Sequence, residues 1–272
     1  LIAQCCLTMD TDSMISKQWF LLPGTLCTGE VFLPFLNALG VSQSQRTVIP
    51  IRYQSVDEYE RLLTEDVPPG SVVCGFSLGA GVAAHLADRL DIGLLVLFGV
   101  NPHADDPEKY QLRRDLENDV LAHGGRKAMS ARVPEIHGMN AEIVLETILD
   151  MAEACGPYIS KQTTLALERP GACSALSNAR YPVLALTGSE DRMTPFSLAK
   201  DAAGAALNGT VTCLAGLGHY ALLEDPHACK AVLELYLWVL VAVSKIRKSL
   251  ILGFSAAHQK NRFHQQARSV PA

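Results

Sequence analysis

The stretch Val72-Val73-Cys74-Gly75-Phe76-Ser77-Leu78-Gly79-Ala80-Gly81 decides the fold of this chain. Its β-branched start predicts a strand, the Gly-x-Ser-x-Gly pattern predicts a sharp turn, and residues 82–87 have a helix-forming composition. The serine of such a turn has a strained backbone, and a side chain at Gly75 or Gly79 would collide with the neighbouring strand or helix. We therefore expect the Ser77 hydroxyl to be held out over the C-terminal edge of a β-sheet.

Short apolar runs alternate with helical segments on both sides of this stretch. Strands that are apolar on both faces indicate a parallel sheet with helices on both faces. The expected fold class is therefore α/β, with a mostly parallel central sheet. Ser55 and Glu58 have the spacing of a capping box and predict the start of one of these helices. The other predicted strands lie at residues 18–22, 47–51, 92–98, 181–187 and 209–214.

The alternation stops between residues 101 and 178. Charged, helix-prone segments recur there at 107–122 and 141–154, and no strand is indicated. Such a block after a strand is typical of an inserted helical lid. The expected organisation is an N-terminal extension at 1–16 that need not belong to the fold, a core at 17–100 and 179–244, the lid at 101–178, and a basic C-terminal tail at 245–272.

The lid carries a group of basic side chains. The interpretation we favour for them is a solvated surface, and the alternative is that some of them bind an anionic group of the substrate. These residues are Arg113, Arg114, Arg126, Lys127 and Arg132.

Composition excludes several classes of function. The 272-residue chain has a net charge of -5 and 49% hydrophobic residues, and its main body has no basic stripe, so nucleic acid is not an expected partner. The eight cysteines form no Cys-x-x-Cys pair and no His/Cys cluster at metal spacing, so no metal site is expected. We interpret them as free core thiols in a reducing compartment, although their even count leaves disulfides possible.

The two ends of the chain bear on its location. Residues 1–8 have no basic segment and too short an apolar run for a secretory signal, so the cytoplasm is the expected location. The apolar run at 235–243 is shorter than the roughly 20 residues that a bilayer span needs, so no transmembrane segment is predicted. Lys245, Arg247 and Lys248 follow this run, and contact of a basic amphipathic segment with a membrane surface is the alternative to a core helix with a tail.

Four motifs resemble those of the α/β-hydrolase superfamily, and the resemblance covers about residues 17–240. Their order of serine, acid and histidine is the order found in that superfamily. The resemblance implies an α/β-hydrolase fold with Ser77, Asp191 and His219 as catalytic triad. The motifs are Leu22-Pro23-Gly24-Thr25, Gly75-Phe76-Ser77-Leu78-Gly79, Gly188-Ser189-Glu190-Asp191-Arg192-Met193-Thr194-Pro195 and Gly218-His219-Tyr220-Ala221-Leu222-Leu223-Glu224-Asp225-Pro226.

The residue types of this triad fit serine acyl transfer. Ser77 would attack a carbonyl carbon, and it needs a base because a free hydroxyl is a poor nucleophile at neutral pH. His219 can take the proton and return it to the leaving group, while Asp191 would hold the imidazole tautomer. Two alternatives for the acid stay open. Glu190 is adjacent to Asp191, and Asp105 or Asp106 follows the strand before the lid, where some members carry the acid.

Backbone N–H groups are expected to form the oxyanion hole, because they need no reorganisation during the reaction. Leu78 would supply one donor, since it is the first residue of the helix that follows the nucleophile. By resemblance, Thr25 would supply the second. Pro23 stands where many members have histidine, which leaves Leu26 as the alternative to Thr25.

These features predict a serine hydrolase that needs no cofactor. It would cleave a carboxylic ester, lactone or thioester of a small to medium acyl substrate through an acyl-enzyme on Ser77. The expected partner is therefore a small-molecule acyl substrate. The same scaffold serves several functions, so two alternatives remain. One is a small-ligand-binding or signalling homologue with little turnover, and the other is a non-hydrolytic member such as a lyase or a cofactor-free haloperoxidase.

Overall fold

The computed structural model describes residues 14–138 and 140–243 of the chain. Residues 15–230 form one compact unit, and the described residues from 231 onward belong to a second one. The predicted basic tail at 245–272 and most of the predicted extension at 1–16 lie outside the described residues. Every strand and every residue of the candidate site lies in the first unit.

One parallel sheet forms the centre of this unit. Its strand order is β2-β1-β3-β4-β5-β6, and each neighbouring pair is parallel. Every residue of β1, β3, β4 and β5 is buried, which explains why these segments are apolar on both faces. The strands are β1 (Trp19–Leu22), β2 (Arg46–Val48), β3 (Val72–Phe76), β4 (Leu94–Phe98), β5 (Val183–Gly188) and β6 (Gly209–Leu214).

Eleven α-helices accompany the sheet in the described residues. They are α1 (Leu33–Leu39), α2 (Asp57–Glu65), α3 (Leu78–His85), α4 (Tyr110–His123), α5 (Gly125–Ser130), α6 (Ala141–Cys155), α7 (Ile159–Glu168), α8 (Cys173–Asn178), α9 (Phe196–Ala205), α10 (Ala221–Glu224) and α11 (Pro226–Val243). Single 3₁₀ turns lie at Gly29–Phe32, Gln43–Gln45, Pro107–Lys109 and Gly156–Tyr158.

Helices cover both faces of the sheet, as the strand composition predicts. On one face, Val73 and Leu95 lie in the same buried cluster as Ala83 of α3 and Ala199 of α9. On the other face, Phe35 of α1 makes edge-to-face contacts with Trp19 and Phe98, with ring centroids 6.4 and 5.4 Å apart. The expected α/β class with a mostly parallel sheet is therefore confirmed.

Most element boundaries fall within two residues of the sequence prediction, and β2 is the main exception. It ends at Val48 instead of residue 51, since Pro50 has no N–H to donate to the ladder. The N-cap of α2 is Val56 and makes no side-chain cap hydrogen bond, so the capping box predicted at Ser55 lies one residue before the cap. The Ser55 hydroxyl accepts from the Asp57 N–H, and the Glu58 carboxylate accepts from the Ser55 N–H.

The chain between β4 and β5 contains α4–α8, and no strand is found among its described residues. We call residues 99–182 the helical insertion. It leaves the sheet at β4 and returns to β5, the next strand in the sheet. Both ends of the insertion are therefore fixed on neighbouring strands.

The cysteines and helix α11 bear on the predicted environment of the protein. The six described cysteines are free, and four of them are buried as core thiols, whereas Cys173 and Cys213 are partly exposed. Cys5 and Cys6 lie outside the described residues. Within the described residues, α11 is the one helix long and apolar enough to cross a membrane, with 18 residues and a mean hydropathy of 1.4. It begins at Pro226, so the argument from the short run at 235–243 does not hold. Core helices of soluble proteins reach the same values, however.

Candidate active site

Ser77 lies between β3 and α3 in a conformation that few side chains adopt, with φ 53° and ψ -116°. The small residues around it explain how the turn can be this tight. A β-carbon at Gly75 would lie 2.5 Å from the Cα of Ala80, and one at Gly79 would lie 2.1 Å from the carbonyl oxygen of Leu22. The start of α3 therefore rests directly on the end of β1, and this packing maintains the strain at Ser77.

A continuous chain of hydrogen bonds joins Ser77, His219 and Asp191. The His219 Nε2 atom lies 3.2 Å from the Ser77 hydroxyl, and the His219 Nδ1 atom lies 2.8 Å from an Asp191 carboxylate oxygen. Both ionisable side chains are buried. Phe76 and Tyr220 contact the imidazole, with ring centroids 5.0 and 5.5 Å away. The three residues singled out by motif order are thus brought together within hydrogen-bonding distance.

The loop after β5 holds the Asp191 carboxylate in place. The N–H groups of Met193 and Thr194 donate to its Oδ1 atom at 2.9 Å, and the Thr194 hydroxyl donates to its Oδ2 atom at 2.6 Å. Burial by itself raises the pKa of Asp191. The hydrogen bond and charge of His219, together with the bonds from Thr194, outweigh burial and hold this pKa below its ordinary value. Asp191 is therefore kept ionised beside the imidazole.

The alternative acids lie elsewhere. Glu190 is exposed and accepts a hydrogen bond from the Ser189 hydroxyl. Asp105 forms a two-point ion pair with Arg113, and Asp106 accepts from the N–H of Glu108 at the start of a 3₁₀ turn. Among the described residues, Asp191 is the carboxylate found in hydrogen-bonding contact with His219.

The loop after β1 passes directly beside Ser77. A β-carbon at Gly24 would lie 2.9 Å from the Ser77 Cβ, so only glycine allows this approach. Within the described part of the chain, no acceptor is found for the N–H groups of Thr25 and Leu78. The Leu26 N–H, in contrast, donates to the Gln162 side-chain oxygen at 2.9 Å. Of the two residues considered for this loop, Thr25 is therefore the one with a free donor.

Two residues of this arrangement were missed from the sequence. Thr194 supports Asp191 through its N–H and its hydroxyl. Part of this signal was available, because an aspartate in a turn commonly accepts from backbone N–H groups shortly after it in sequence. Gln162 in α7 is buried, and it also donates to the Ile51 carbonyl at 2.9 Å. It thereby links the helical insertion to the loops after β1 and β2. No local pattern marks a glutamine for this role.

A cavity of about 420 Å³ adjoins Ser77 and His219. Core residues form one part of its wall, and Leu112, Leu116 and Met129 of the insertion form another part. Much of the lining is apolar, and exposed side chains such as Leu112 lie at its opening to solvent. No group of three His, Cys, Asp or Glu residues within the described ranges is placed to hold a metal ion. Because much of its lining is apolar, the cavity can accept an apolar group next to the serine hydroxyl.

The sequence and the fold of this chain were compared with those of known proteins. A curated relative, the pimeloyl-[acyl-carrier protein] methyl ester esterase of Aromatoleum aromaticum, is 25% identical over 202 residues, which are 68% of this chain and 81% of that protein. An esterase from Thermogutta terrifontis superposes with a TM-score of 0.69 at 19% identity, covering 82% of this chain and 90% of the other. The enol-lactonase of Burkholderia xenovorans LB400 has a TM-score of 0.65 at 16% identity, covering 81% and 92%.

The structural similarities at these low identities establish the fold alone. The family assignment rests instead on a sequence comparison, in which residues 22–232 match the model of the alpha/beta hydrolase family. This range runs from the end of β1 into α11 and includes Ser77, Asp191 and His219. The chain therefore belongs to the alpha/beta hydrolase family.

Proposed function

We propose that this protein is a serine hydrolase that cleaves a carboxylic ester, lactone or thioester of a small to medium acyl substrate. The observation that carries the proposal is the hydrogen-bonded series from Asp191 through His219 to Ser77, which ends at a strained turn beside an apolar cavity. Proximity of a hydroxyl, an imidazole and an ionised carboxylate is what activates a serine nucleophile.

The first half of the reaction forms an acyl-enzyme. His219 Nε2 accepts the Ser77 proton while the serine oxygen attacks the substrate carbonyl carbon. The Nδ1–H of the imidazole donates to Asp191, which keeps the correct tautomer and stabilises the imidazolium. The N–H groups of Thr25 and Leu78 stabilise the oxyanion of the tetrahedral intermediate. When the carbon–oxygen or carbon–sulfur bond to the leaving group breaks, His219 Nε2 gives the proton to that group.

The second half uses water as the nucleophile. His219 Nε2 accepts a proton from the water molecule, and the resulting hydroxide attacks the acyl carbon. The same two N–H groups stabilise the second oxyanion. When the bond to Ser77 breaks, the imidazolium returns the proton to the serine oxygen and the carboxylic acid leaves. The enzyme is thereby restored, and no cofactor is required.

The helical insertion acts as a lid in this proposal. Leu112, Leu116 and Met129 line the cavity together with Ser77 and His219, so in this proposal they contact the acyl or alcohol part of the substrate. The curated relative is named as a methyl ester esterase, which supports an ester as substrate. Changes in these insertion residues should alter chain-length preference more than the chemical step.

Hydrolysis of p-nitrophenyl esters of increasing acyl length tests the proposal. We expect turnover by the wild type, loss of nearly all of it in Ser77→Ala, and labelling of Ser77 by a fluorophosphonate. Equal rates in the two proteins, together with no labelling, would contradict a serine hydrolase and favour a binding or non-hydrolytic role. Arg61→Ala is the control, because Arg61 is exposed on α2, and this variant should keep the wild-type rate of ester hydrolysis.

A further inference from the structure

The active-site cavity has a strongly unequal distribution of charge. Among the described residues that line it, four have basic side chains and none is an aspartate or a glutamate. The four are Lys109, Arg113, Arg132 and Arg192. A cleft lined by charges of one sign raises the local concentration of ligands with the opposite sign. This property is not needed for hydrolysis of a neutral ester, so it calls for a separate explanation.

Two of the four cations are already neutralised. Arg113 forms a two-point ion pair with Asp105, whose side chain is almost fully buried, and Arg132 pairs with Asp119. Lys109 and Arg192 form no ion pair with any carboxylate of the described residues. The cavity therefore has two positive charges for which the described part of the chain supplies no counter-ion.

These two charges come from different parts of the chain. Lys109 ends the 3₁₀ turn before α4, so it belongs to the helical insertion, whereas Arg192 follows Asp191 in the core. Each is thus held by an element that also contributes to the wall of the cavity. A ligand that contacts both would bridge the insertion and the acid loop.

The interpretation of the insertion's cations as a solvated surface stays a prediction, and these residues divide into two groups by their surroundings. Arg126 pairs with Glu146 and Asp150, and Arg114 pairs with Glu117. Neither lines the active-site cavity. The cations at its wall therefore form a separate group with a different environment.

We propose that the substrate carries a second, anionic group such as a carboxylate, and that Lys109 and Arg192 bind it while the ester lies at Ser77. The proposal rests on the proposed serine hydrolase function and defines its substrate class. The apolar lining then receives the hydrocarbon part between the two groups. The anion can lie on the acyl part or on the alcohol part of the ester, and both arrangements supply the same chemistry to the two cations.

Two pairs of esters with matched length separate these arrangements. Mono-p-nitrophenyl adipate is compared with p-nitrophenyl hexanoate, and 4-carboxyphenyl hexanoate is compared with phenyl hexanoate. In at least one pair, we expect the wild type to have about a tenfold higher kcat/KM for the charged ester, mainly through KM. The pair that shows the preference identifies the side of the ester that carries the anion.

Substitution of the two cations tests their role. Lys109→Met and Arg192→Gln should each lower the charged-to-neutral ratio of kcat/KM, and the double variant should bring it to about one. Arg61→Gln and Lys161→Gln remove exposed charges on α2 and α7 that do not line the cavity, and they should keep the wild-type ratio. High salt should lower the ratio of the wild type as well, because it screens the attraction.

A binding measurement that needs no turnover distinguishes failure of this inference from failure of the proposed function. Calorimetry on Ser77→Ala compares monomethyl adipate, which has one free carboxylate, with methyl hexanoate, which has none. If the neutral ester is hydrolysed through Ser77 but neither the rates nor the binding favour the anion, the inference is overturned and the hydrolase stands. If no ester is turned over but monomethyl adipate binds about tenfold more tightly than methyl hexanoate, the anion site exists, provided that this advantage is lost in Ser77→Ala carrying Lys109→Met and Arg192→Gln. The inference then stands without the hydrolase.

Discussion

At the scale of single residues, the chemistry depends on how the Asp191 carboxylate is held. Its Oδ1 atom accepts two backbone N–H groups, and its Oδ2 atom faces both Thr194 and His219. An amide in this place can keep the first two bonds. It would then present an NH₂ group to His219 Nδ1, which reverses the tautomer and leaves Ser77 without a base.

We therefore expect Asp191→Asn to fold normally and to lower kcat by about 1,000- to 10,000-fold. Circular dichroism and thermal unfolding check the fold, and ester hydrolysis gives kcat. Glu190→Gln is the matched control, because this neighbouring carboxylate is exposed and has no contact with His219. Near wild-type turnover in Asp191→Asn would mean that another group holds the imidazole.

Glu224 is a buried carboxylate with an unusual environment. One oxygen accepts from the Gly218 N–H, and the other has no partner among the described residues. Burial raises the pKa of Glu224 above its ordinary value, although the Gly218 bond opposes this. A raised folded-state pKa means that the native state prefers the protonated form. Its stabilising contribution is thus present below the unfolded pKa and is lost as the pH rises through the folded pKa.

Glu224→Gln mimics the protonated form at every pH. We expect its free energy of unfolding to be close to that of the wild type at about pH 4. At about pH 8, its free energy of unfolding should be the higher of the two. Denaturant unfolding across this range measures the difference. Glu65→Gln, at an exposed position on α2, should show no comparable rise with pH. A difference that shrinks as the pH rises would contradict the proposed cost of the buried charge.

At the scale of elements, the contact between β1 and α3 positions the nucleophile. Backbone atoms surround Gly79, so no flexible side chain can move aside for a larger residue. Gly79→Ala should lower the free energy of unfolding by about 3 kcal/mol or more. Gly204→Ala is the matched substitution, because Gly204 lies in α9 with no atom near its β-position. It should raise the free energy of unfolding by about 0.5 kcal/mol.

Denaturant titration of the two alanine variants measures both effects. If both variants had a lower free energy of unfolding than the wild type, the loss in Gly79→Ala could not be assigned to its contact with β1. Equal stability of Gly79→Ala and the wild type would mean that α3 can move away from β1 at little cost. In that case, the strain at Ser77 would not depend on this packing.

The link made by Gln162 between α7 and the core is a second element-scale feature. Gln162→Leu leaves the Leu26 N–H and the Ile51 carbonyl without partners, which should lower the free energy of unfolding by about 2 kcal/mol. It should also lower kcat, because the loop that carries Thr25 is no longer held. Gln111→Leu, on the exposed face of α4, should change stability by no more than about 0.5 kcal/mol. Unchanged kcat in Gln162→Leu would argue against a role in positioning that loop.

This glutamine also shows where sequence reasoning stops. Local patterns predicted the strands and the turn at Ser77, because each is encoded within a few neighbouring residues. The triad, in contrast, was implied by the resemblance of four motifs to the α/β-hydrolase superfamily. Gln162 contacts residues 136 and 111 positions away, so its role depends on how α7 packs and not on its own neighbours in sequence. The choice of Thr25 over Leu26 follows from the same contact. The prediction could therefore name the loop but not the donor.

At the scale of the whole molecule, the strand order explains where the site lies. The chain passes from β1 to β2 on one side and then returns to β3 on the other side of β1. The loops after β1 and β3 therefore diverge and leave a crevice, which is where open α/β sheets bind ligands. Thr25 follows β1 and Ser77 follows β3, so the topology alone brings these two residues to the same place.

The burial of the thiols gives a prediction for the molecule as a whole. Cys27, Cys74, Cys155 and Cys229 are buried, and burial raises the pKa of Cys27 to about 12. Since the thiolate is the reactive form, these four should react slowly with DTNB in the native protein. Cys173 and Cys213 are partly exposed and should react first.

The measurement uses a Cys5→Ser, Cys6→Ser background, so that only described cysteines are counted. All six should react in concentrated guanidinium chloride, which also tests for disulfides. Fewer than six thiols under these conditions would contradict the free state of the cysteines. Fast reaction of more than two in the native protein would mean that the core opens readily.

The helical insertion begins and ends on neighbouring strands of the sheet, β4 and β5. These two strands are parallel, so the insertion runs from the C-terminal edge of the sheet at β4 back to the N-terminal edge at β5. A segment that replaces it must therefore be long enough for such a crossover, which takes about a dozen residues or more. A foreign segment could be grafted between β4 and β5 and give the same Ser77 centre a new range of substrates. Gln162 sets the condition for such a graft, since the incoming segment must again supply an acceptor for the Leu26 N–H and a donor for the Ile51 carbonyl.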